Sequence, residues 1–283
     1  MSSGPAGHVA RSTDRPHSET VEGTPVRKPL RTFLRASDGV PIEAVYDPGT
    51  AAHDASRTPS GHPVFVVAHG FTGAADRPHI RRVARVLARY GAVVTFSFRG
   101  HGASGGRSTV GDREVLDLAA AADWARRLGH ARVATVGFSM GGSVVLRHAA
   151  LHGAATDAVV SVSAPARWYY RGTAPMRRLH WMVTRPAGRV VGRYGFRTRI
   201  HHRHWDPVPL SPVEAVPRIA PTPLLIVHGD SDGYFPVDHP RMLAAAAGDQ
   251  GELWLEPGMG HAEHAAGDEL LARIGEWVVR RAG

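Results

Sequence analysis

A serine flanked by glycines stands in the segment Gly137-Phe138-Ser139-Met140-Gly141-Gly142, between an apolar run at 133–136 and a helical run at 143–151. Gly-X-Ser-X-Gly between a strand and a helix predicts a sharp, strained turn, at which a flanking Cβ atom would collide with backbone. The helix that starts there would place positive partial charge beneath the serine hydroxyl. The chemistry that this arrangement supports is nucleophilic attack by Ser139.

A base must lie within hydrogen-bond reach of such a serine, because a hydroxyl is a poor nucleophile at neutral pH. Among the 18 histidines, His261 is the best placed: it lies in a glycine-rich loop after a predicted strand at 252–255 and just before the terminal helix. Loops at the carboxyl ends of parallel strands are where such sheets assemble their sites. His264 is the competitor, and we interpret it as a solvated residue at a helix start. We therefore predict His261 as the base.

The base in turn needs an acid that holds it in one tautomer. Asp230 and Asp232 both follow a predicted strand at 224–227. An aspartate beside glycine is also a common turn former, so one of the two has a structural explanation. The residues alone leave both open.

Strand and helix patterns alternate along the chain and would position these residues. Short apolar runs of the strand type occur at 65–68, 92–98, 133–136, 159–162, 224–227 and 252–255. Such runs suit strands that are buried on both faces, as in a parallel sheet. The segments 78–90 and 112–128 carry apolar residues at helical spacing, and 30–36 and 42–46 predict a hairpin at an antiparallel edge. The alternation indicates an α/β fold.

Four blocks carry a resemblance to a known family. They are His69-Gly70-Phe71-Thr72-Gly73, Phe98-Arg99-Gly100-His101-Gly102-Ala103-Ser104, the serine segment, and His228-Gly229-Asp230-Ser231-Asp232 with Gly260-His261. From about residue 31 onward, the sequence resembles serine esterases and lipases of the α/β-hydrolase superfamily, particularly monoacylglycerol-lipase-like and related bacterial hydrolases. The resemblance implies an α/β-hydrolase fold, with a mostly parallel eight-stranded sheet flanked by helices and a small helical cap.

The resemblance also assigns roles. The order serine, aspartate, histidine is that of α/β-hydrolases. In similar proteins the acid is the aspartate four residues after the histidine of the His-Gly-X-X-Asp block, which is Asp232 here. The oxyanion hole takes one backbone N–H from Met140, the residue after the nucleophile, and by resemblance the other from Phe71. By the same likeness His69 braces its loop, and His101 shapes the floor of the site without transferring protons.

The reaction expected is hydrolysis of a carboxylic ester, or a related acyl bond, through an acyl-enzyme on Ser139, with a small-molecule acyl substrate and no metal or organic cofactor. Thioesterase, C–C hydrolase and peptidase activities share this fold, and a non-catalytic binding protein that reuses the pocket is the alternative outside enzymes. An aspartate at position 139 would indicate an epoxide hydrolase or a dehalogenase, and the serine argues against both.

The domain organisation predicted from these patterns is a core at 30–164 and 222–283, with a cap segment at 165–221 inserted into it. Ten arginines and several aromatic residues lie between 167 and 203, and no acidic residue occurs from 165 until Asp206. This charge would suit a nucleic acid or an anionic membrane, but no nucleic-acid motif accompanies it. We favour a solvated cap face whose aromatic side chains line the acyl pocket. His201, His202 and His204 lack the helix-face spacing of metal ligands.

The bulk composition sets the remaining limits. The chain has 283 residues, a formal net charge of +9 and no cysteine, so disulfides and thiolate sites are excluded. Residues 1–29 are rich in small and polar residues and lack the apolar stretch of a signal peptide, which predicts a disordered tail. No apolar run reaches the roughly 18 residues that cross a bilayer, and we expect a cytoplasmic protein.

Overall fold

The computed structural model describes residue 1 and residues 29–50 and 61–282. Within these residues, eight strands form one sheet in the order β1-β2-β4-β3-β5-β6-β7-β8. The strands are β1 (Leu30–Arg35), β2 (Pro41–Asp47), β3 (Val64–Ala68), β4 (Ala92–Phe96), β5 (Val133–Phe138), β6 (Ala158–Val162), β7 (Leu224–Gly229) and β8 (Gly251–Glu256). β2 pairs antiparallel with both β1 and β4, whereas β4, β3 and β5 to β8 pair in parallel. This is the sheet that the resemblance implied, and the predicted hairpin forms its antiparallel edge.

Helices cover both faces of the sheet. They are α1 (Pro78–Leu87), α2 (Glu114–Arg127), α3 (Met140–His152), α4 (Ala174–Thr184), α5 (Pro186–Gly195), α6 (Pro212–Ala215), α7 (Asp238–Ala247), α8 (Ala262–Ala265) and α9 (Asp268–Arg281). Successive strand residues alternate between two buried apolar layers: Val66 belongs to the layer that contains residues of α2 and α3, and Val67 belongs to the layer that contains residues of α1 and α9. The alternation follows from the two-residue period of a strand, and it explains why the parallel strands are apolar throughout.

The structure refines the predicted boundaries. The helix expected over 78–90 ends at Leu87, the strand expected over 92–98 ends at Phe96, and the serine helix begins at Met140. The predicted cap segment lies between β6 and β7 and contains α4, α5 and α6. Most of the predicted N-terminal tail lies outside the described residues. No helix in the described part of the chain has the length and apolar character needed to cross a membrane.

Candidate active site

Ser139 occupies the turn between β5 and α3, at the carboxyl edge of the sheet. Its backbone has φ 51° and ψ −113°, a strained conformation for a residue with a side chain. A Cβ on Gly137 would lie 2.2 Å from the carbonyl oxygen of Gly141, and a Cβ on Gly141 would lie 2.2 Å from that of Ala68. Both flanking positions therefore require glycine, and the turn holds Ser139 at the start of α3.

Three of the predicted side chains meet above the sheet. Ser139 Oγ lies 2.9 Å from Nε2 of His261, and Nδ1 of the same ring lies 2.8 Å from Oδ2 of Asp232. A carboxylate only accepts hydrogen bonds, so Nδ1 carries the proton and Nε2 is left to accept the serine hydroxyl proton. Ser139 and His261 are 122 residues apart in the sequence, and Asp232 and His261 are 29 residues apart. They meet because β5, β7 and β8 run in parallel, so the residues that follow these strands lie at the same edge of the sheet.

The Asp232 carboxylate is buried and held from two sides. Its Oδ1 accepts the backbone N–H groups of Tyr234 and Phe235, at 2.8 and 3.1 Å. Burial raises the pKa of Asp232, but the hydrogen bond and charge of His261 and the two backbone donors outweigh it, so the pKa lies below its usual value. The carboxylate thus stays ionised beside the imidazole.

Asp230, the other aspartate that sequence reasoning left open, is exposed and bonded elsewhere. Its Oδ1 accepts the backbone N–H of Gly258 at 2.7 Å and the hydroxyl of Ser231 at 3.0 Å. Asp230 therefore ties two loops together, which is the turn-forming role, while Asp232 contacts His261.

The loop after β3 carries Phe71 and is braced by two neutral histidines. The N–H of Phe98 donates to Nε2 of His69, so in this neutral ring the proton lies on Nδ1. The Nδ1–H of His69 donates to the carbonyl of Gly70. The N–H of Thr72 donates to Nε2 of His101 at 3.3 Å. Burial lowers the pKa of His69 to about 3 and that of His101 to about 4, which keeps both rings uncharged. Both histidines have structural hydrogen bonds here, in line with the roles that the resemblance implied.

Phe71 and Met140, predicted to supply the oxyanion donors, both line the same cavity as Ser139 and His261. Met140 is the first residue of α3, so its N–H belongs to the unpaired N-terminal turn of a helix. The N–H groups on either side of Phe71 are engaged, that of Gly70 by Glu263 Oε1 at 3.0 Å and that of Thr72 by His101. These bonds fix the peptide planes around Phe71 beside the serine.

The cavity above Ser139 has a volume of about 1300 Å³ and is walled mainly by the cap segment. The segment 165–221 contains seven tryptophan, tyrosine and phenylalanine residues, and six of them line the cavity: Trp168, Tyr169, Tyr170, Trp181, Phe196 and Trp205. Tyr194 does not; 76% of its surface is exposed. The cap segment is joined to the core by hydrogen bonds from Trp205 Nε1 to the Thr109 carbonyl and from Thr173 Oγ1 to the Tyr234 carbonyl. The expectation that the cap aromatics line a pocket therefore holds for all of these residues except Tyr194.

Sequence reasoning missed three residues that support the site. Tyr234 stacks on the His261 ring, Glu263 holds Gly70, and the His228 ring donates from Nε2 to the Phe235 carbonyl at 2.8 Å while lying 3.6 Å from Asp232. Tyr234 and Glu263 each lie two residues from a predicted site residue, and this proximity was the available signal. In the described part of the chain, no cluster of three or more histidine or acidic side chains is arranged to hold a metal.

Comparison with known proteins agrees with this architecture. Residues 64–273 match the model of the alpha/beta hydrolase family. A monoacylglycerol lipase of Mycolicibacterium smegmatis is 28% identical, over 84% of this chain and 93% of that protein. A solved esterase of Pyrococcus furiosus superposes with a TM-score of 0.68 at 21% identity, covering 90% of this chain and 93% of that one. An α/β serine hydrolase without lid from Xanthomonas campestris gives a TM-score of 0.60 at 22% identity, over 91% and 97% of the two chains.

Proposed function

Because this chain belongs to the alpha/beta hydrolase family, we propose that it is a serine hydrolase that cleaves carboxylic esters through an acyl-enzyme on Ser139. One observation carries the proposal: the unbroken hydrogen-bonded row from Ser139 Oγ through His261 to Asp232, with both links under 3 Å. A row of this kind lets a hydroxyl lose its proton as it attacks a carbonyl.

The mechanism follows from the groups in that row. Ser139 Oγ attacks the ester carbonyl carbon while its proton moves to His261 Nε2, and the N–H groups of Phe71 and Met140 bind the developing oxyanion. The imidazolium is stabilised by Asp232 and gives its proton to the leaving alkoxide, which departs as the alcohol. Water then attacks the acyl-enzyme, with His261 again as base, and releases the carboxylic acid and free Ser139.

The proposed substrate is an ester of a long acyl chain with a small alcohol. The cavity is larger than the roughly 300–1,000 Å³ of common ligand pockets, and its cap wall is rich in aromatic and aliphatic side chains. The Mycolicibacterium smegmatis relative is a monoacylglycerol lipase, which is consistent with an acyl ester of this type. Hydrolysis rates on p-nitrophenyl esters from acetate to palmitate test the chain length. An optimum at acetate would contradict the long-chain substrate.

The nucleophile is tested with a fluorophosphonate probe, which reacts covalently with activated serines. We expect labelling of the unmodified protein and of Ser143→Ala, which removes a second serine hydroxyl from the same cavity wall, but none of Ser139→Ala. Folded protein that stays unlabelled would favour the non-catalytic binding protein instead. Labelling that persists in Ser139→Ala would overturn the assignment of the nucleophile.

A further inference from the structure

Helix α5 of the cap segment packs with its glycines inward. Gly188 and Gly192 are its buried residues. A Cβ on Gly188 would lie 2.5 Å from the Cα of Met182 in α4, and a Cβ on Gly192 would lie 2.9 Å from a methyl group of Ile200. Two glycines four residues apart lie on the same face of a helix, and because they have no side chain they let that face approach its neighbours closely. The face of α5 that meets the protein is therefore its glycine face.

The apolar face of the same helix points to solvent. Val190 is 56% exposed, Val191 44% and Tyr194 76%, at the i, i+1 and i+4 spacing of one helical stripe. Phe196 follows directly after the helix and Trp181 precedes it in α4, and both are nearly half exposed. We call these five residues the α5 patch. A helix of a globular protein normally buries such a stripe, so an exposed one indicates a surface that is covered by something else.

The α5 patch continues into the cavity. Trp181, Val191 and Phe196 are exposed to solvent and also line the space above Ser139. Val190 and Tyr194 are exposed but do not line the cavity. The apolar surface thus runs from outside the molecule to the serine, and a soluble substrate in the cavity would leave its outer part uncovered.

The surroundings of the patch are strongly cationic, and few of the positive charges there are paired with acidic side chains in the described residues. Residues 165–205 contain ten arginines and no acidic residue. Within the described residues, only Arg167 of these ten makes a salt bridge, with Asp238 at 3.3 Å. The Arg193 guanidinium lies 5.7 Å from the ring centre of Tyr194, so charge and apolar surface are adjacent. Two copies of the chain joined through this face would bring these like charges together, which argues against a second copy as the cover.

We propose that the α5 patch and the arginines around it dock the protein on an anionic lipid bilayer. Two attractions hold a helix at the surface of such a bilayer. Apolar side chains become buried in the headgroup region, and arginines are attracted to the anionic lipids. The bilayer covers both the stripe and the charge, and it places the mouth of the cavity against the layer that holds acyl lipids. Only this last consequence rests on the proposed esterase function; the docking itself does not.

Co-sedimentation with vesicles tests the docking. We expect the full chain to bind vesicles of phosphatidylcholine containing about 30% phosphatidylglycerol, and to bind pure phosphatidylcholine at least about tenfold more weakly. Raising the ionic strength from about 0.05 M to about 0.5 M should weaken binding strongly, because the charges lie at the surface. Ser139→Ala should bind as the unmodified protein does, so a failed enzyme assignment leaves this result unchanged.

Two pairs of variants separate the two attractions. Arg193→Gln with Arg197→Gln should lower binding to the anionic vesicles by about 10- to 30-fold, from roughly fivefold for each arginine. Val190→Ser with Tyr194→Ser keeps every charge and should lower binding by about tenfold. The control for the arginine pair is Arg127→Gln with Arg280→Gln, and the control for the apolar pair is Leu151→Ser. These three residues are exposed and lie outside the cap segment, so both controls should bind as the unmodified protein does. All of these positions are exposed, so the thermal midpoints should agree.

The proposal is overturned if neutral and anionic vesicles bind equally, or if each cap pair binds like its control. It is also overturned if sedimentation velocity shows a stable dimer that Val190→Ser with Tyr194→Ser converts to a monomer, because the stripe would then be covered by a second copy.

Discussion

The phenol ring of Tyr234 lies face to face with the imidazole of His261, with ring centroids 4.2 Å apart and planes inclined by 24°. The backbone N–H of the same residue donates to Asp232 Oδ1, and its carbonyl accepts the hydroxyl of Thr173 from the cap segment. Tyr234 therefore contacts the proposed base, the proposed acid and the cap at once. Its ring leaves the imidazole little freedom to rotate away from Ser139.

Removal of the Tyr234 ring is expected to slow turnover while the fold persists. Tyr234→Ala should lower kcat on a p-nitrophenyl ester by about tenfold, because the imidazole loses the surface that orients it. Tyr234→Phe retains the stacking ring and is the matched control, with kcat expected within about twofold of the unmodified protein. Equal losses in the two variants would show that the phenol hydroxyl, and not the stacked ring, is the group that matters.

Asp232→Asn is expected to lower kcat by about 10³- to 10⁴-fold with the fold retained. An amide in place of the carboxylate no longer stabilises the imidazolium, and it can donate to Nδ1 and so favour the wrong tautomer. The two backbone donors of Tyr234 and Phe235 can still bond the amide oxygen, so circular dichroism should be unchanged.

Asp230→Asn is the matched control for that substitution. The two aspartates follow the same strand, but Asp230 bonds Gly258 and is exposed. The asparagine oxygen can still accept the Gly258 N–H, so we expect activity within about threefold of the unmodified protein. If this variant is the inactive one, the acid has been assigned to the wrong residue.

The fold was predictable because its strands and helices carry local signals. Continuous apolar runs indicated the parallel strands, and the two neighbouring segments at 30–36 and 42–46 indicated the edge hairpin. Element ends were less well predicted. Tyr90 continues the apolar spacing of α1 yet lies beyond its end, and its ring is 2.5 Å from where a Cβ on Gly275 of α9 would lie. That position is set by tertiary packing, which periodicity does not encode.

Ser139 and His261 were predictable because each follows a strand at the same edge of the sheet, whereas the choice of Asp232 over Asp230 came from the family resemblance and not from the residues alone. What the sequence did not reveal is the direction in which helix α5 faces. Its valines and tyrosine have the spacing of a buried stripe, and only the contacts of Gly188 and Gly192 show that the stripe points outward. The hydrogen bond between Glu263 and Gly70 spans 193 residues, and such pairing has no local signature.

Glu263 is expected to act as a positioning residue for the oxyanion donor of Phe71. Its buried carboxylate accepts the Gly70 N–H at 3.0 Å, and Gly70 directly precedes Phe71 in the chain. Glu263→Ala should lower kcat by about 10- to 100-fold, less than the loss of a whole oxyanion donor, with KM within about threefold. Glu263→Gln retains an acceptor oxygen and should keep most of kcat. A rise in KM at constant kcat in the alanine variant would indicate instead a role in substrate binding.

Acid is expected to destabilise the protein through the two histidines that brace the Phe71 loop. Burial holds the pKa of His69 at about 3 and that of His101 at about 4, below the value of about 6.5 in an unfolded chain. Their contribution is complete above about pH 6.5 and is lost as the pH falls towards these folded values, because the unfolded chain takes up the protons first. Each histidine should add a slope of up to about 1.4 kcal/mol per pH unit to the free energy of unfolding across that interval. Urea unfolding at several pH values between about 7.5 and 4.5 measures the slope, and His101→Gln should reduce it by one histidine's share. A slope identical to that of the unmodified protein would mean that the His101 imidazole is already protonated in the folded state.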